Sequence, residues 1–229
     1  MNCAIMQPSY IPWRGSFDLI HKSDVYVFYD DVQYTKRSWR NRNRIKTPAG
    51  PRWLTIPVHA RGNITEATPI HRIHIDDEQL WNVSHREKLH QCYRTAPHYA
   101  RIAELLDRIY AQTTELLADF TIATTIAVAR ELGIGKTQFL RASELGVSGC
   151  GTERVLSILR RVEADHLING PTARAYTDEK LLQREGITVE YMSYDYPEYP
   201  QLHGPFDGNL SILDLMLMVG PDAPRYIWS

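Results

Sequence analysis

This sequence contains no long hydrophobic run, and that absence sets a first limit on what the protein does. A helix that crosses a membrane needs about 20 consecutive apolar residues, and no stretch of the 229 residues approaches that length. We therefore expect no membrane insertion. The opening stretch, MNCAIMQPSY, also lacks the basic region and apolar segment of a secretory signal. We expect a cytoplasmic protein.

The net charge is close to zero, and the sequence contains only three cysteines. The 26 Lys and Arg residues are balanced by 27 Asp and Glu residues, which gives a formal net charge of -1 at pH 7. Because proteins that bind nucleic acid over a broad surface carry an excess of basic residues, we expect no nucleic-acid partner. Cys3, Cys92 and Cys150 form no CxxC pair, so we expect reduced thiols.

Short apolar runs alternate with helical patterns, which is typical of an α/β fold. With 43% hydrophobic residues, the chain can bury a core of ordinary size. The pattern predicts a Rossmann-like, mostly parallel sheet with helices on both faces. Residues 1–76 and 133–229 form the predicted α/β core, and residues 77–132 form a predicted helical insert or cap packed on it.

Hydrophobic periodicity predicts the individual elements. Residues 25–29 are rich in β-branched and aromatic side chains, as strands are, and apolar residues recur at helical spacing between residues 102 and 126. Helix breaks are predicted at Pro97 and near Asp119, and residues 65–75 are predicted to form a loop with an edge strand. The predicted strands are 3–6, 25–29, 53–58, 137–141, 166–169 and 188–194, and the predicted helices outside the insert are 16–22, 153–164, 177–185 and 211–219.

The turn after the first predicted strand is unusually long and rich in proline and aromatic residues. Connections from strand to helix usually take about two to six residues, whereas residues 7–15 read QPSYIPWRG. Ligands of open parallel sheets bind beyond the carboxyl ends of the strands. We infer that this turn builds one wall of a pocket. Its predicted substrate-binding residues are Gln7, Tyr10, Pro12, Trp13 and Gly15.

An acidic pair follows the second predicted strand. Asp30, Asp31 and Gln33 are the predicted catalytic residues, because two carboxylates at a strand end can position a metal ion or an amine. The alternative is a strand-terminating turn, to which Asp is well suited. His71 and His74 match no zinc signature, and no metal ligands are predicted.

The segment KRSWRNRNRIK, residues 36–46, is strongly basic. If the segment is extended, the side chains at every second position lie on one face and can bind phosphates. RNA binding with Trp39 as a stacking surface is one alternative, and a solvated basic loop is another. Because the net charge of the whole protein is close to zero, a small anion is favoured over RNA as the ligand of this segment. The predicted substrate-binding residues are Arg40, Asn41, Arg42, Asn43 and Arg44.

Two further stretches contribute predicted substrate-binding residues. SGCGTER, residues 148–154, is a glycine-rich turn that leads into a helix, with Thr152 as the predicted N-cap, and a helix N-terminus attracts anions. Cys150 precedes this helix and is either a nucleophile or a small buried side chain. The tail near residues 199–214 is either a lid or a docking segment. These stretches and the preceding strand end contribute Ser143, Gly151, Thr152, Arg154 and Gln201.

Five stretches resemble the WbqC-like protein family, in the family's order and over nearly the whole chain. Many members of that family have His where this chain has Met6, and the family pattern does not require a thiol at Cys150. The stretches are IMQPSYIPWRGSFDLI, DVYVFYDDVQYTKRSWRNRNRIKT, WLTIPVH, LRASELGVSGCGTERVLSIL and HGPFDGNLSILDLMLMVG.

The resemblance implies a role in making surface polysaccharides, such as O-antigens, or specialised metabolites. Such gene sets make modified amino sugars, including ones acylated by amino acids, so a sugar-nucleotide or small-amine substrate is implied. The first strand, turn and helix are also similar to the nucleotidylyltransferase superfamily, in which pantothenate synthetase activates a carboxylate with ATP and forms an amide. The His-x-Gly-His tetrad of that superfamily is absent here.

Together these observations predict an enzyme that forms an amide by transferring an acyl or aminoacyl group to an amino sugar or similar amine. The predicted partner is a phosphate-containing or amino-sugar small molecule. The cofactor is left open, with ATP and Mg²⁺ as candidates, and a homodimer is left open as well. Two alternatives are a non-catalytic nucleotide-sugar binding partner of a transferase and a thiol hydrolase that uses Cys150.

Overall fold

The computed structural model describes residues 1–59 and 67–228. Its strands are β1 (Asn2–Met6), β2 (Val25–Phe28), β3 (Arg42–Ile45), β4 (Arg52–Thr55), β5 (Gln138–Arg141), β6 (His166–Asn169) and β7 (Thr188–Tyr191). Five of them form a parallel sheet in the order β5-β2-β1-β6-β7, and β3 and β4 form an antiparallel hairpin. The Rossmann-like α/β fold predicted from the sequence is confirmed.

Helices cover both faces of the parallel sheet because its central strands are apolar on both faces. Alternate residues of a strand point to opposite sides, and Cys3 and Ile5 pack in one buried cluster while Ala4 packs in the other. Tyr26 and Val27 divide in the same way. The helices are α1 (Arg14–Lys22), α2 (Trp81–Tyr93), α3 (Tyr99–Tyr110), α4 (Leu117–Glu131), α5 (Gly151–Arg161), α6 (Glu179–Arg184) and α7 (Ile212–Val219).

The order of the strands creates a switch point beside β1. From β1 the chain proceeds outward to β2 and then to β5, and it returns across the sheet to β6, which pairs with the other side of β1. The connections that leave β1 and β6 therefore diverge, and a crevice opens between the carboxyl ends of these two strands. This is where ligands of doubly wound sheets bind.

The observed elements differ from the predicted ones mainly at their ends. The break at Pro97 is confirmed, since α2 ends at Tyr93 and α3 begins at Tyr99. The second break lies at residues 111–116, and Asp119 instead occupies the first turn of α4, where the helix dipole favours a carboxylate.

Two segments predicted less clearly have defined structure. Residues 42–45 form β3, and the described part of the predicted loop contains a 3₁₀ helix, Ile70–Arg72, and isolated bridges rather than a continuous strand. Residues 65 and 66 of that predicted loop lie outside the described residues.

The helical segment shares the larger apolar cluster with the sheet. Leu89, Ile102 and Phe120, one from each of its helices, are buried together with Phe28 and Leu215. The division into a core and an insert stays a prediction. In the described parts of the chain, no helix combines the length and the apolarity needed to cross a bilayer.

Candidate functional site

A cavity of about 450 Å³ lies at the switch point, and we call it the switch-point cavity. Its floor is the carboxyl end of β1, at Met6, and one side is the turn that follows β6. The remaining sides come from the turn after β1, the segment before β3 and the tail before α7. The lining residues are Met6, Ser9, Pro12, Trp13, Ser16, Trp39, Arg40, Asn43, Gly170, Pro171, Thr172, Tyr194 and Asn209.

Arg40 supplies the positive charge of this cavity. Its Nη1 donates hydrogen bonds to the backbone oxygen of Gln7 at 3.2 Å and to Gln7 Oε1 at 2.9 Å. Among the residues that the structure describes, no carboxylate forms an ion pair with it. Burial lowers the pKa of Arg40 to about 10, so the guanidinium is still charged at neutral pH. A buried cation without a counter-ion favours the binding of an anion.

Asn43 holds the turn after β1 in an unusual conformation. Ile11 has a φ of 37°, which a β-branched residue adopts only under strain. The side-chain amide of Asn43 donates to the backbone oxygen of Tyr10 at 3.1 Å and of Ile11 at 2.7 Å. The backbone amide of Ile212 donates to Pro12 at 3.0 Å. These contacts fix Pro12 and Trp13 at the cavity wall.

Two glycines permit the aromatic wall to close. A Cβ atom at Gly15 would lie 2.4 Å from the ring of Trp13, so only glycine lets that ring fold back over the start of α1. Trp13 meets Tyr194 edge to face, with ring centroids 4.8 Å apart. The Tyr194 hydroxyl in turn approaches Gly170, where a Cβ would be 3.2 Å away. Burial, with a smaller contribution from the carboxylate of Asp18, raises the pKa of Tyr194 to about 12.

Tyr10 lies behind the cavity wall and not in it. Its hydroxyl is 2.9 Å from Nδ1 of His85 and 2.6 Å from the hydroxyl of Tyr110, and all three side chains are buried. Burial lowers the pKa of His85 to about 4. This neutral cluster connects the turn to α2 and α3.

The acidic pair lies at the neighbouring edge of the sheet, between β2 and β5. Asp30 is fully buried and accepts hydrogen bonds from Arg141 Nε at 2.9 Å, from the Ser143 amide at 2.9 Å and from the Ser143 hydroxyl at 2.8 Å. Asp31 forms an ion pair with Arg154. We call these five residues the acidic edge. They do not line the switch-point cavity.

The predicted row of basic residues divides among three environments. Arg40 enters the cavity, whereas Arg42 lies over the ring of Trp53, with Cζ 4.1 Å from the ring centroid. Arg44 donates to the backbone oxygen of Asn209 at 3.1 Å and lies 3.6 Å from the Asp207 carboxylate.

Asn41, predicted beside these residues, is buried, and its amide donates to the backbone of Ile56 at 2.9 Å. Its neighbour two positions on, Asn43, supports the cavity wall as described above. Thus only two of the five predicted positions of this row reach the cavity.

The remaining predicted residues do not line the cavity. Gly151 begins α5, and Thr152 lies within its first turn, so the predicted N-cap at Thr152 is wrong by two residues; Cys150 occupies that position and is exposed. Gln33 is exposed beside Pro69. Gln201 links the tail to α7 and to the residue after β3. Its amide donates to Asp214 Oδ2 at 2.8 Å, and its Oε1 accepts from Lys46 Nζ at 2.8 Å.

Several lining residues were not predicted as site residues. Gly170, Pro171 and Thr172 follow a predicted strand, and their place at the end of a parallel strand was the available signal. Tyr194 and Asn209 lie in the tail after the last strand, where no periodic pattern indicates their position. In the described parts of the chain, no group of three His, Cys, Asp or Glu residues could hold a metal ion.

Comparison with known proteins identifies relatives over almost the full length. The model of the WbqC-like protein family matches residues 7–226. The chain is similar to an uncharacterized protein of Mycobacterium tuberculosis (strain ATCC 25618 / H37Rv), Rv1507c, with 39% identity over 226 residues that cover 98% of this chain and 96% of that protein. No solved structure matches significantly.

Proposed function

Because this chain belongs to the WbqC-like protein family, we propose that it is an enzyme that binds a phosphate-containing small molecule in the switch-point cavity and forms an amide. The reaction transfers an acyl or aminoacyl group to an amino sugar or similar amine, with ATP as the activating co-substrate. The product belongs to surface-polysaccharide or specialised-metabolite biosynthesis.

The observation that supports this proposal is the guanidinium of Arg40. It lies at a ligand-binding position of the fold, and its hydrogen bonds within the described residues go to neutral acceptors of Gln7. A charge in a partly dehydrated cavity without a counter-ion is unfavourable. A phosphate supplies both the negative charge and the acceptor oxygens that an arginine binds best.

The cavity suits a reaction in which an acyl group is transferred and a phosphate-containing group leaves. The carboxylate of the donor attacks the α-phosphorus of ATP, which forms an acyl adenylate and releases pyrophosphate. The amine nitrogen then attacks the acyl carbon, the new C–N bond replaces the C–O bond, and AMP leaves with the electron pair. The proton of the amine passes to solvent. Arg40 stabilises the charge on the departing phosphate.

The acidic edge has no part in this step. Two guanidinium groups already neutralise Asp30 and Asp31, and this pairing does not fit a divalent metal at these carboxylates. The proposal therefore assigns no metal ion to these carboxylates.

The test compares the wild type with Arg40→Gln and Arg40→Lys. We expect pyrophosphate release that needs ATP and an amino acid, and amide product, detected by mass spectrometry, only when the amine is also present. Arg40→Gln should lower kcat/KM at least 100-fold, and Arg40→Lys should retain an intermediate rate because it keeps the charge without the planar fork. Equal rates in all three proteins would contradict the proposal.

A second candidate is a binding protein that delivers a nucleotide sugar to a transferase. One observation favours it: the described lining of the cavity contains no His, Cys, Asp or Glu that could act as a general base. In that case a nucleotide sugar should raise the melting temperature of the wild type and not of Arg40→Gln, with no turnover for any donor.

Loss of activity on alkylation of Cys150, prevented by substrate, would instead indicate the thiol hydrolase.

A further inference from the structure

Beside the switch-point cavity, two tryptophans form an exposed aromatic surface with a cation stacked on it. The rings of Trp39 and Trp53 have centroids 5.0 Å apart, and the two residues are 44% and 42% exposed. Arg42 lies over the ring of Trp53. We call these three residues the tryptophan platform.

The platform is not part of the apolar core. Most tryptophans bury their large ring, since an exposed one leaves apolar surface in water. By contrast, Trp13 packs against Tyr194 and Trp81 is buried in the larger apolar cluster. Exposed tryptophans that face each other are common where a protein binds a flat ring.

The platform and the switch-point cavity are continuous. Trp39 lines the cavity and also contributes to the platform, and the next residue in the chain, Arg40, is the cation of the cavity. The backbone oxygen of Trp39 accepts a hydrogen bond from the amide of Tyr10 at 3.0 Å. This bond ties the platform to the same turn that builds the cavity wall.

The strand pairing explains why Arg42 points to the platform side. Arg44 is paired with Trp53 across the β3–β4 hairpin, and Arg42 is paired with Thr55. Residues at every second position share a face, so the two arginines lie on the face of Trp53. Arg44 is neutralised by Asp207, whereas in the described parts of the chain Arg42 forms no ion pair with a carboxylate. The Nε atoms of both arginines are buried without a hydrogen-bond partner.

We propose that the tryptophan platform is the base-binding subsite of the cavity and that the ligand is a nucleoside diphosphate or a compound built on one. The nucleobase stacks on the exposed ring of Trp39, and the phosphates extend inward to Arg40, with Arg42 beside them. This inference rests on the proposed function, in which Arg40 binds phosphate. A nucleobase is favoured over a sugar because Arg40 and Arg42, which have no carboxylate partner among the described residues, adjoin the rings and match the charge of a diphosphate.

The experiment measures the binding of ADP and UDP by isothermal titration calorimetry, with inorganic pyrophosphate as the matched ligand that lacks a base. The wild type should bind the nucleotides more tightly than pyrophosphate. Trp39→Ala should weaken both nucleotides roughly 10-fold and leave pyrophosphate unchanged, because a stacked base contributes a factor of that order. Arg40→Gln should weaken all three ligands.

A second measurement avoids the risk that Trp39→Ala alters the fold. Nucleotides should quench tryptophan fluorescence in the wild type and in Trp228→Phe, but much less in Trp39→Phe, which keeps an aromatic ring. Trp228 is a suitable control because it stacks on His21, with centroids 4.2 Å apart, at the far end of α1.

The outcomes separate the two proposals. If Arg40→Gln weakens the nucleotides and Trp39→Ala does not, the platform inference is overturned and the anion site stands. If methyl α-glucopyranoside binds and competes with ADP in the wild type, the platform is a sugar subsite and the inference is also overturned. If neither pyrophosphate nor a nucleotide binds the wild type, both proposals fail together.

Discussion

Charged residues lie at two places beyond the carboxyl ends of one parallel sheet, and the two places use them in opposite ways. At the acidic edge, beyond β2 and β5, the carboxylates of Asp30 and Asp31 are matched by Arg141 and Arg154. At the switch-point cavity, beyond β1 and β6, Arg40 has only neutral partners among the described residues. A charged residue beyond the carboxyl ends of the strands therefore indicates a ligand site only where its counter-ion is missing.

The difference follows from the space between neighbouring strand ends at each of the two places. At the acidic edge β5 lies directly beside β2, with Phe28 paired to Arg141, so the residues that follow the two strands meet and neutralise each other. At the switch point the chain diverges after β1 and β6, and a cavity remains in which none of the described carboxylates forms an ion pair with Arg40. Removal of a charge should therefore have opposite effects at the two edges.

The largest effect is expected for Asp30→Ala. This substitution removes three hydrogen bonds that the buried carboxylate accepts, while Arg141 keeps its ion pair with Asp119 at 2.7 Å, so it should lower the free energy of unfolding by about 3 kcal/mol. Urea denaturation measures it. Glu144→Gln is the matched control, since Glu144 is exposed at 4.0 Å from Arg141, and its effect should be under about 0.5 kcal/mol. A stable Asp30→Ala protein would show that the acidic edge does not need its charges paired.

Arg40→Gln should behave in the reverse manner. Because it removes a charge without a counter-ion, the free energy of unfolding should stay within about 0.5 kcal/mol of the wild type or increase. Affinity for pyrophosphate should fall about 100-fold, which corresponds to about 2.7 kcal/mol. Calorimetry and urea denaturation on the same samples test both parts. A destabilised Arg40→Gln protein with unchanged affinity would remove the distinction between the two edges.

Asn43→Ala tests how the cavity wall is held. The substitution removes two hydrogen bonds to the strained turn at Ile11 and should cost about 2 kcal/mol of unfolding free energy. It should also weaken anion binding, because this turn positions Pro12 and Trp13 in the wall of the switch-point cavity. Asn41→Ala is the control: it removes a buried hydrogen bond to Ile56 and should destabilise the fold without changing affinity. Parallel losses of affinity in both variants would contradict this role of Asn43.

The smallest effect concerns pH and the neutral cluster behind the cavity. The pKa of His85 is lowered by burial from 6.5 to about 4, so the unfolded chain binds a proton that the folded protein excludes. The stability from neutral His85 is therefore present above pH 6.5 and is lost as the pH falls toward 4. Between pH 7 and 5 the loss should be about 1.8 kcal/mol. Urea denaturation at both pH values should show this loss in the wild type and not in His85→Gln.

Much of the fold could be predicted from the sequence because its signals are local. The apolar run at Val25–Phe28 is β-branched and aromatic, and the interruption at Pro97 follows from the missing amide of proline. The order of the strands could not be predicted in this way, since an apolar run does not reveal which other strand pairs with it. The family stretches quoted above identified the family without any of this geometry.

The candidate site could be predicted only in part. Trp13, Arg40 and Asn43 were predicted, and they line the cavity. Tyr10 was predicted as a pocket residue because it shares the turn with Trp13, yet the strained Ile11 directs it into the core beside His85. A sequence shows that residues share a turn, but it does not show on which side of the turn each one lies.

What the sequence determined by itself is the set of elements and the chemical groups at their ends, because hydrophobic periodicity and turn composition act over a few residues. Which charges meet depends on the tertiary structure. Asp30 and Arg40 are ten positions apart, but Arg141 comes from a distant part of the chain to pair with Asp30. Within the described residues no carboxylate pairs with Arg40. Electrostatic pairing depends on distance in space, and the strand order sets that distance.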